Sequence, residues 1–143
     1  MPLLNYTTSI NVHKTLGEIQ GCLVEHGARK LFYDYKDNKS IDSLSFTIIT
    51  PRGEVGVKLP AKVEAVLKIL QTDSKVPKNL KTYEQAERVA WRIILEWVKA
   101  QMAILETEMV KLEQIFLPYL VNNSGQTFFE AYENGQLQIS DGR

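Results

Sequence analysis

Acid–base and nucleophilic chemistry draws first on histidine, and the sequence holds two, His13 and His26. They fall near opposite ends of one amphipathic segment, and no serine or cysteine sits in a glycine-flanked elbow where a triad could form. His26 falls in the last helical turn, where a protonated imidazole gains from the helix dipole. Glu18, Cys22 and His26 are spaced four apart and share a helix edge, a geometry open to half of a metal site. No second Cys or His cluster completes four ligands, so Cys22 reads as a small apolar side chain flanking the core. Gly53-Glu54-Val55-Gly56 lacks the Lys-Ser/Thr of a phosphate loop and reads as a turn with a bulge. No catalytic residue, metal site or cofactor is therefore expected, and the chain reads as a binding protein rather than an enzyme.

Binding leaves two candidate constellations. Arg88 and Arg92, one helical turn apart, can clamp a phosphate or carboxylate; the alternative is that Arg92 pairs with Glu96 on a wet face. Tyr33 and Tyr35, beside Phe32 on a predicted strand, could stack bases while Arg52, Lys58 and Lys62 supply the cationic rim of a single-stranded nucleic-acid site. The competing reading packs the tyrosines against the first helix and leaves the lysines solvated.

The chain has 143 residues, seventeen basic and seventeen acidic. Zero formal net charge disfavours bulk electrostatic capture of nucleic acid or anionic membrane. Charge is nevertheless uneven. Residues 1–100 carry 15 basic and 11 acidic side chains and residues 101–143 carry 2 and 6, so +4 is followed by −4. One cysteine suits a reducing compartment. No basic, then apolar leader opens the sequence and no apolar run approaches a membrane span, so a cytoplasmic location is expected.

These residues must be positioned by elements legible in the periodicity. Residues 4–10 suggest a weak strand. Val12, Leu16, Ile19 and Leu23 mark one helical face, capped at Asn11 or Thr15 and stopped at Gly27. Residues 30–59 read as a three-stranded antiparallel meander, because Leu44, Phe46, Ile48 and then Val55, Val57, Leu59 alternate with polar or small residues. Pro60 is placed to open a helix reaching about Gln71. Residues 72–80 form the boundary between an α+β half, 1–72, and a helical half, 82–143, which read as one integrated domain. Thr82 and Gln85 have capping-box spacing at the head of a long helix or helical hairpin. Thr127 to Glu133 suggests a last short helix stopped by Gly135, followed by an extended tail. The fold class is α+β, with a small antiparallel sheet of about three to four strands.

The long helix carries two apolar flanks where a surface helix needs one. With Ala86, Val89, Ile93 and Trp97 closing the core, Trp91, Ile94, Val98 and Leu105 are left facing water, and a homo-oligomer interface is predicted there. The other expectation is that residues 108–120 fold back and cover this flank with Met109, Leu112, Ile115 and Phe116.

The run Gln85-Ala86-Glu87-Arg88-Val89-Ala90-Trp91-Arg92-Ile93-Ile94, continued by Trp97-Val98-Lys99-Ala100-Gln101-Met102-Ala103, resembles a family of small uncharacterised bacteriophage and prophage proteins. Lys14 to Gln20, His26-Gly27-Ala28 and Phe116 to Leu120 fit the same pattern. The resemblance implies a phage accessory protein acting in the cytoplasm of a bacterial host cell. The expected role is counter-defence, by blocking a host immune protein or sequestering its nucleotide signal; the alternative is single-stranded nucleic-acid binding in phage replication or recombination.

Overall fold

In the computed structural model, which describes residues 2–59, 61–137 and 140, the meander is the centre of the architecture. Strands β1 (Lys30–Tyr35), β2 (Ile41–Thr50) and β3 (Gly53–Leu59) form one antiparallel sheet in the order β1-β2-β3. The period-two alternation sets its two faces. Leu31, Phe46 and Val57 make one cross-strand row and Tyr33, Leu44 and Leu59 the next, both turned toward the helices. Phe32, Ser45 and Lys58 form a row on the other face, which no helix covers along β1. The outer edge of β3 is taken by the chain's later part: Leu120 bridges Val57 and Val121 N donates to Gly56 O at 2.8 Å.

Helix α1 (Val12–Glu25) is capped by Asn11, whose side chain accepts from His13 N at 2.8 Å, and not by Thr15. It ends where predicted, with Gly27 at φ +113°, a conformation that penalises any residue with a β-carbon. Helix α2 (Val63–Thr72) follows β3; Pro60, expected to open it, lies outside the described residues. Thr82 caps α3 (Tyr83–Glu106) by accepting from Gln85 N at 3.2 Å. Short helices α4 (Leu112–Phe116) and α5 (Phe128–Glu133) complete the order, and most of the tail expected after Gly135 lies outside the described residues. The α+β class, with its small sheet and long helix, stands. No helix among the described residues is long and apolar enough to cross a membrane.

Two expectations are corrected. Residues 4–10 form no strand: Tyr6 N donates to Leu3 O and Thr8 N to Asn5 O, turning the chain. The buried Gln85 then holds this segment, its Nε2 donating to Tyr6 O at 2.8 Å and Thr8 O at 2.9 Å, so carbonyls a strand would offer a neighbour go to a side chain.

The second correction concerns the flanks of α3. Trp91 and Val98 are 0% exposed within the single chain, and with Leu95 and Met102 they face α1 and the sheet. Ile94 and Leu105 are half-buried against the same core. The flank assigned to an oligomer interface is thus the one that closes the main core, and a residue with no surface meets no partner. Ala86 and Ala90 instead meet Val63, Leu70 and Val76 in a smaller cluster under α2. The fold-back forms but reaches the other flank, at Trp97: Leu112, Ile115 and Phe116 pack on the main core, whereas Met109, expected among them, is 72% exposed. Glu108, at φ +64°, turns the chain after α3, and Phe116 arrives fully buried between Phe46 and Trp97. Residues 82–117 are therefore two helices.

Candidate functional site

The two arginines turn to separate partners within the chain. Arg92 Nη1 reaches Glu18 Oε2 at 2.8 Å and Thr15 Oγ1 at 3.4 Å, tying α3 to α1, and 14% of its side chain is exposed. Its partner is Glu18, not Glu96. Arg88 spends Nε and Nη2 on Gln85 Oε1 at 3.0 and 2.8 Å, orienting the amide that holds residues 6–8. Glu84 and Glu87 line the shallow hollow beside it together with His13 and Arg88 itself, so its cation is offset by two carboxylates. Both arginines thus bond within the chain, Arg88 inside α3 and Arg92 across to α1.

The proposed nucleic-acid set is also divided. Tyr33 lies on the helix-facing side and its hydroxyl donates to Gln20 Oε1 at 3.0 Å, so it packs on α1. Tyr35 is exposed at the far end of β1. Arg52 sits in the β2–β3 turn, six residues from Lys58, about 20 Å along an extended strand. Only Lys58 and Lys62 come together.

They meet in a cleft of about 400 Å³ between the end of β3, the start of α2 and α5. Its walls bring Lys58 and Lys62 to Asp42, Glu64, Glu130 and Glu133, with Tyr119 and Phe129 as apolar surface. A reciprocal cap positions the α5 wall: Thr127 Oγ1 accepts from Glu130 N at 3.1 Å and Glu130 Oε1 accepts from Thr127 N at 3.0 Å. The Thr127 backbone N–H first and its hydroxyl second hold the Glu130 carboxyl below its ordinary range, with Lys58 and Lys62 adding to the effect. The α2 wall is fixed by Lys36, whose Nζ donates to Glu64 Oε1 at 2.7 Å and Tyr83 Oη at 3.0 Å. Those two hydrogen bonds push the Lys36 ammonium well above its usual value. Phe129 and Tyr132, both about half exposed, stand 6.3 Å apart between ring centroids on α5. Sequence reading missed this pair, although Phe129 and Tyr132 are three apart behind a legible cap, the spacing of neighbours on a helix.

His26 joins the ends of α1 and α3. Its Nδ1 lies 2.7 Å from Cys22 O and its Nε2 2.8 Å from Glu106 Oε1. Only the imidazolium donates to both acceptors at once, so the Cys22 carbonyl first and Glu106 second raise its pKa above the ordinary 6.5, against the opposing effect of burial. The sign follows from linkage: a raised folded-state pKa contributes stability in full below the unfolded value, and that contribution disappears as pH rises through the folded value. Urea midpoints are expected to fall as pH rises through and above the ordinary imidazole value of about 6.5, and His26→Gln is expected to flatten that slope. The effect is below about 1 kcal/mol, because 66% of the Glu106 side chain is exposed. A slope unchanged in His26→Gln refutes the assignment.

Compared with known proteins, the chain matches no protein-family model, no curated protein and no solved structure.

Proposed function

We propose that the chain is a non-catalytic binding protein of phage accessory type, acting as a homo-oligomer in counter-defence. In this reading it blocks a host immune protein by seating one of that protein's segments in the cleft between β3, α2 and α5. The observation that carries the choice of a protein over a nucleotide or nucleic acid is the charge of the walls. Lys58 and Lys62 share the cleft with four carboxylates, Asp42, Glu64, Glu130 and Glu133, and even with Glu64 neutralised by Lys36 the surplus is negative. A polyphosphate or nucleic-acid backbone meets net repulsion there. A peptide segment carrying a basic and an acidic side chain meets complementary groups. Its apolar side chain covers Phe129, and aromatic residues are the usual anchors of such contacts. The volume accommodates one or two side chains. Half-exposed Phe32, Tyr35 and Ile49 support self-association elsewhere on the surface. The phage and counter-defence parts of the reading are supported by the resemblance carried in residues 85–103.

Retention of proteins from a bacterial host lysate tests this, with the parent chain and a Lys62→Glu/Phe129→Ala variant as parallel baits. A protein held by the parent and lost by the variant is the expected result. Equal retention by both places binding outside the cleft. A gel shift of single-stranded DNA that weakens steeply with salt replaces this reading with nucleic-acid binding.

A further inference from the structure

The two edges of the sheet are treated differently. The β3 edge is occupied by Leu120 and Val121, whereas among the described residues β1 pairs only with β2. Arg29 N donates to Thr47 O just before β1, and Lys36 N to Ser40 O just after it. Antiparallel ladders alternate, so Lys30, Phe32 and Asp34 give their backbone groups to β2. Leu31 and Tyr33 turn theirs to the open edge. An uncovered edge strand is a template for another strand.

We propose that a second copy of this chain fills the edge, β1 pairing antiparallel with β1 about a two-fold axis at Phe32. The proposal rests on the homo-oligomeric part of the function read above and gives it a surface. Charge selects the register. A two-fold pairing that keeps both helical layers on one side must centre on a residue. Centring on Tyr33 sets Lys30 opposite Lys36, and centring on Leu31 opposes Lys30 with Phe32. Centring on Phe32 places Lys30 of each copy opposite Asp34 of the other, and Leu31 opposite Tyr33 with their edge-directed backbone groups facing. The charges are available. Lys30 holds Glu54 at 3.3 Å with 61% of its side chain exposed, and Asp34 uses Oδ2 on Ser43. Phe32, 52% exposed on the open face, meets its own copy.

The helix above this edge points the same way. Tyr33 bonds Gln20, so α1 lies over β1, and its Glu18 and His26 side chains turn to Arg92 and Glu106 of α3. At about 100° per residue, the side of α1 away from α3 carries Gly17 and the half-exposed Val24. A glycine inside a helix weakens it relative to alanine. A β-carbon on Gly17 meets nothing within 4 Å, so none of the described residues requires a glycine there. Across the axis α1 runs beside its own copy, and the glycine there lets the two backbones approach.

Light scattering on Phe32 variants tests the pairing. The parent is expected near twice 16.3 kDa at micromolar concentration. Phe32→Asp and Phe32→Lys each put like charges on the axis, so each alone is expected near the single-chain mass. Mixed in equal amounts, the two are expected to return to twice that mass. A parent at the single-chain mass overturns this proposal and the homo-oligomeric reading together. A parent at twice the mass with both variants unchanged overturns the β1 pairing alone. Should the charged variants lose their native circular dichroism, Phe32→Cys in a Cys22→Ser background decides. Opposed non-hydrogen-bonded residues lie about 4.5 Å apart at Cα, so oxidation is expected to give a covalent dimer, and its absence overturns the pairing.

Discussion

Trp91→Glu is expected to abolish cooperative folding, leaving no native near-ultraviolet circular dichroism and no thermal transition. Trp91 is 0% exposed, packed with Leu95, Val98 and Met102 against α1 and the sheet. Truncating such a side chain costs about 3–5 kcal/mol, and an unpaired carboxylate in an apolar core adds several kcal/mol more. A domain of this size has about 5–15 kcal/mol in total. The conservative change separates packing from polarity. The indole Nε1 is buried without a hydrogen-bond partner among the described residues, and an orphaned donor costs about 1–3 kcal/mol. Trp91→Phe removes that donor along with some volume, so the two effects oppose and a net loss of about 1–2 kcal/mol is expected. A Trp91→Glu protein that stays folded while changing its oligomeric mass would return this flank of α3 to an intermolecular role.

The burial of Trp91 also shows which parts of the fold the sequence carried and which it did not. Elements with a local cause were legible. The alternation at residues 44–48 and 55–59 is the pleat itself, Gly27 ends α1 because of its own φ, and the caps at Thr82 and Thr127 are contacts between residues three apart. Choices made by distant neighbours were not. The two flanks of α3 are chemically alike, and which one faces the sheet depends on where α1 and residues 108–120 settle. Arg92 has an acid one turn away at Glu96, yet it bonds Glu18, seventy-four positions earlier, because the α1–α3 packing brings that carboxylate to a less exposed place. The fold-back begins at Glu108 with a positive φ that no glycine announces. Residues 4–10 look extended, and only the amide of Gln85 explains why they turn. The cleft is the extreme case. Lys58, Lys62 and Phe129 come from segments with no shared periodicity, so the sequence points to its two cations alone, and to a different surface for them.

The fold-back that resolves the α3 ambiguity makes Phe116 the second position of large expected effect. Its ring is 0% exposed and meets Phe46 edge-on at 5.1 Å and Trp97 at 5.8 Å, while Trp97 in turn meets Tyr119 at 5.6 Å. Helix α4 has five residues, far too few to hold together without tertiary contacts, so its position depends on what Phe116 buries. Phe116→Ala is expected to cost about 3–5 kcal/mol and to free residues 108–120 for proteolysis while the sheet and α3 persist. Met109→Ala is the control: Met109 lies in the same fold-back but is 72% exposed, and its removal is expected to stay within about 0.5 kcal/mol. Equal urea midpoints for the two variants would show that the fold-back does not close the core. The effect extends to the cleft. Phe128 N donates to Leu120 O at 2.9 Å, so α5 is anchored to the segment that Phe116 fixes, and Tyr119 and Phe129 line the cleft from either side of that anchor. Phe116→Ala is therefore expected to weaken partner retention although Phe116 touches no part of the cleft, whereas Met109→Ala leaves retention unchanged.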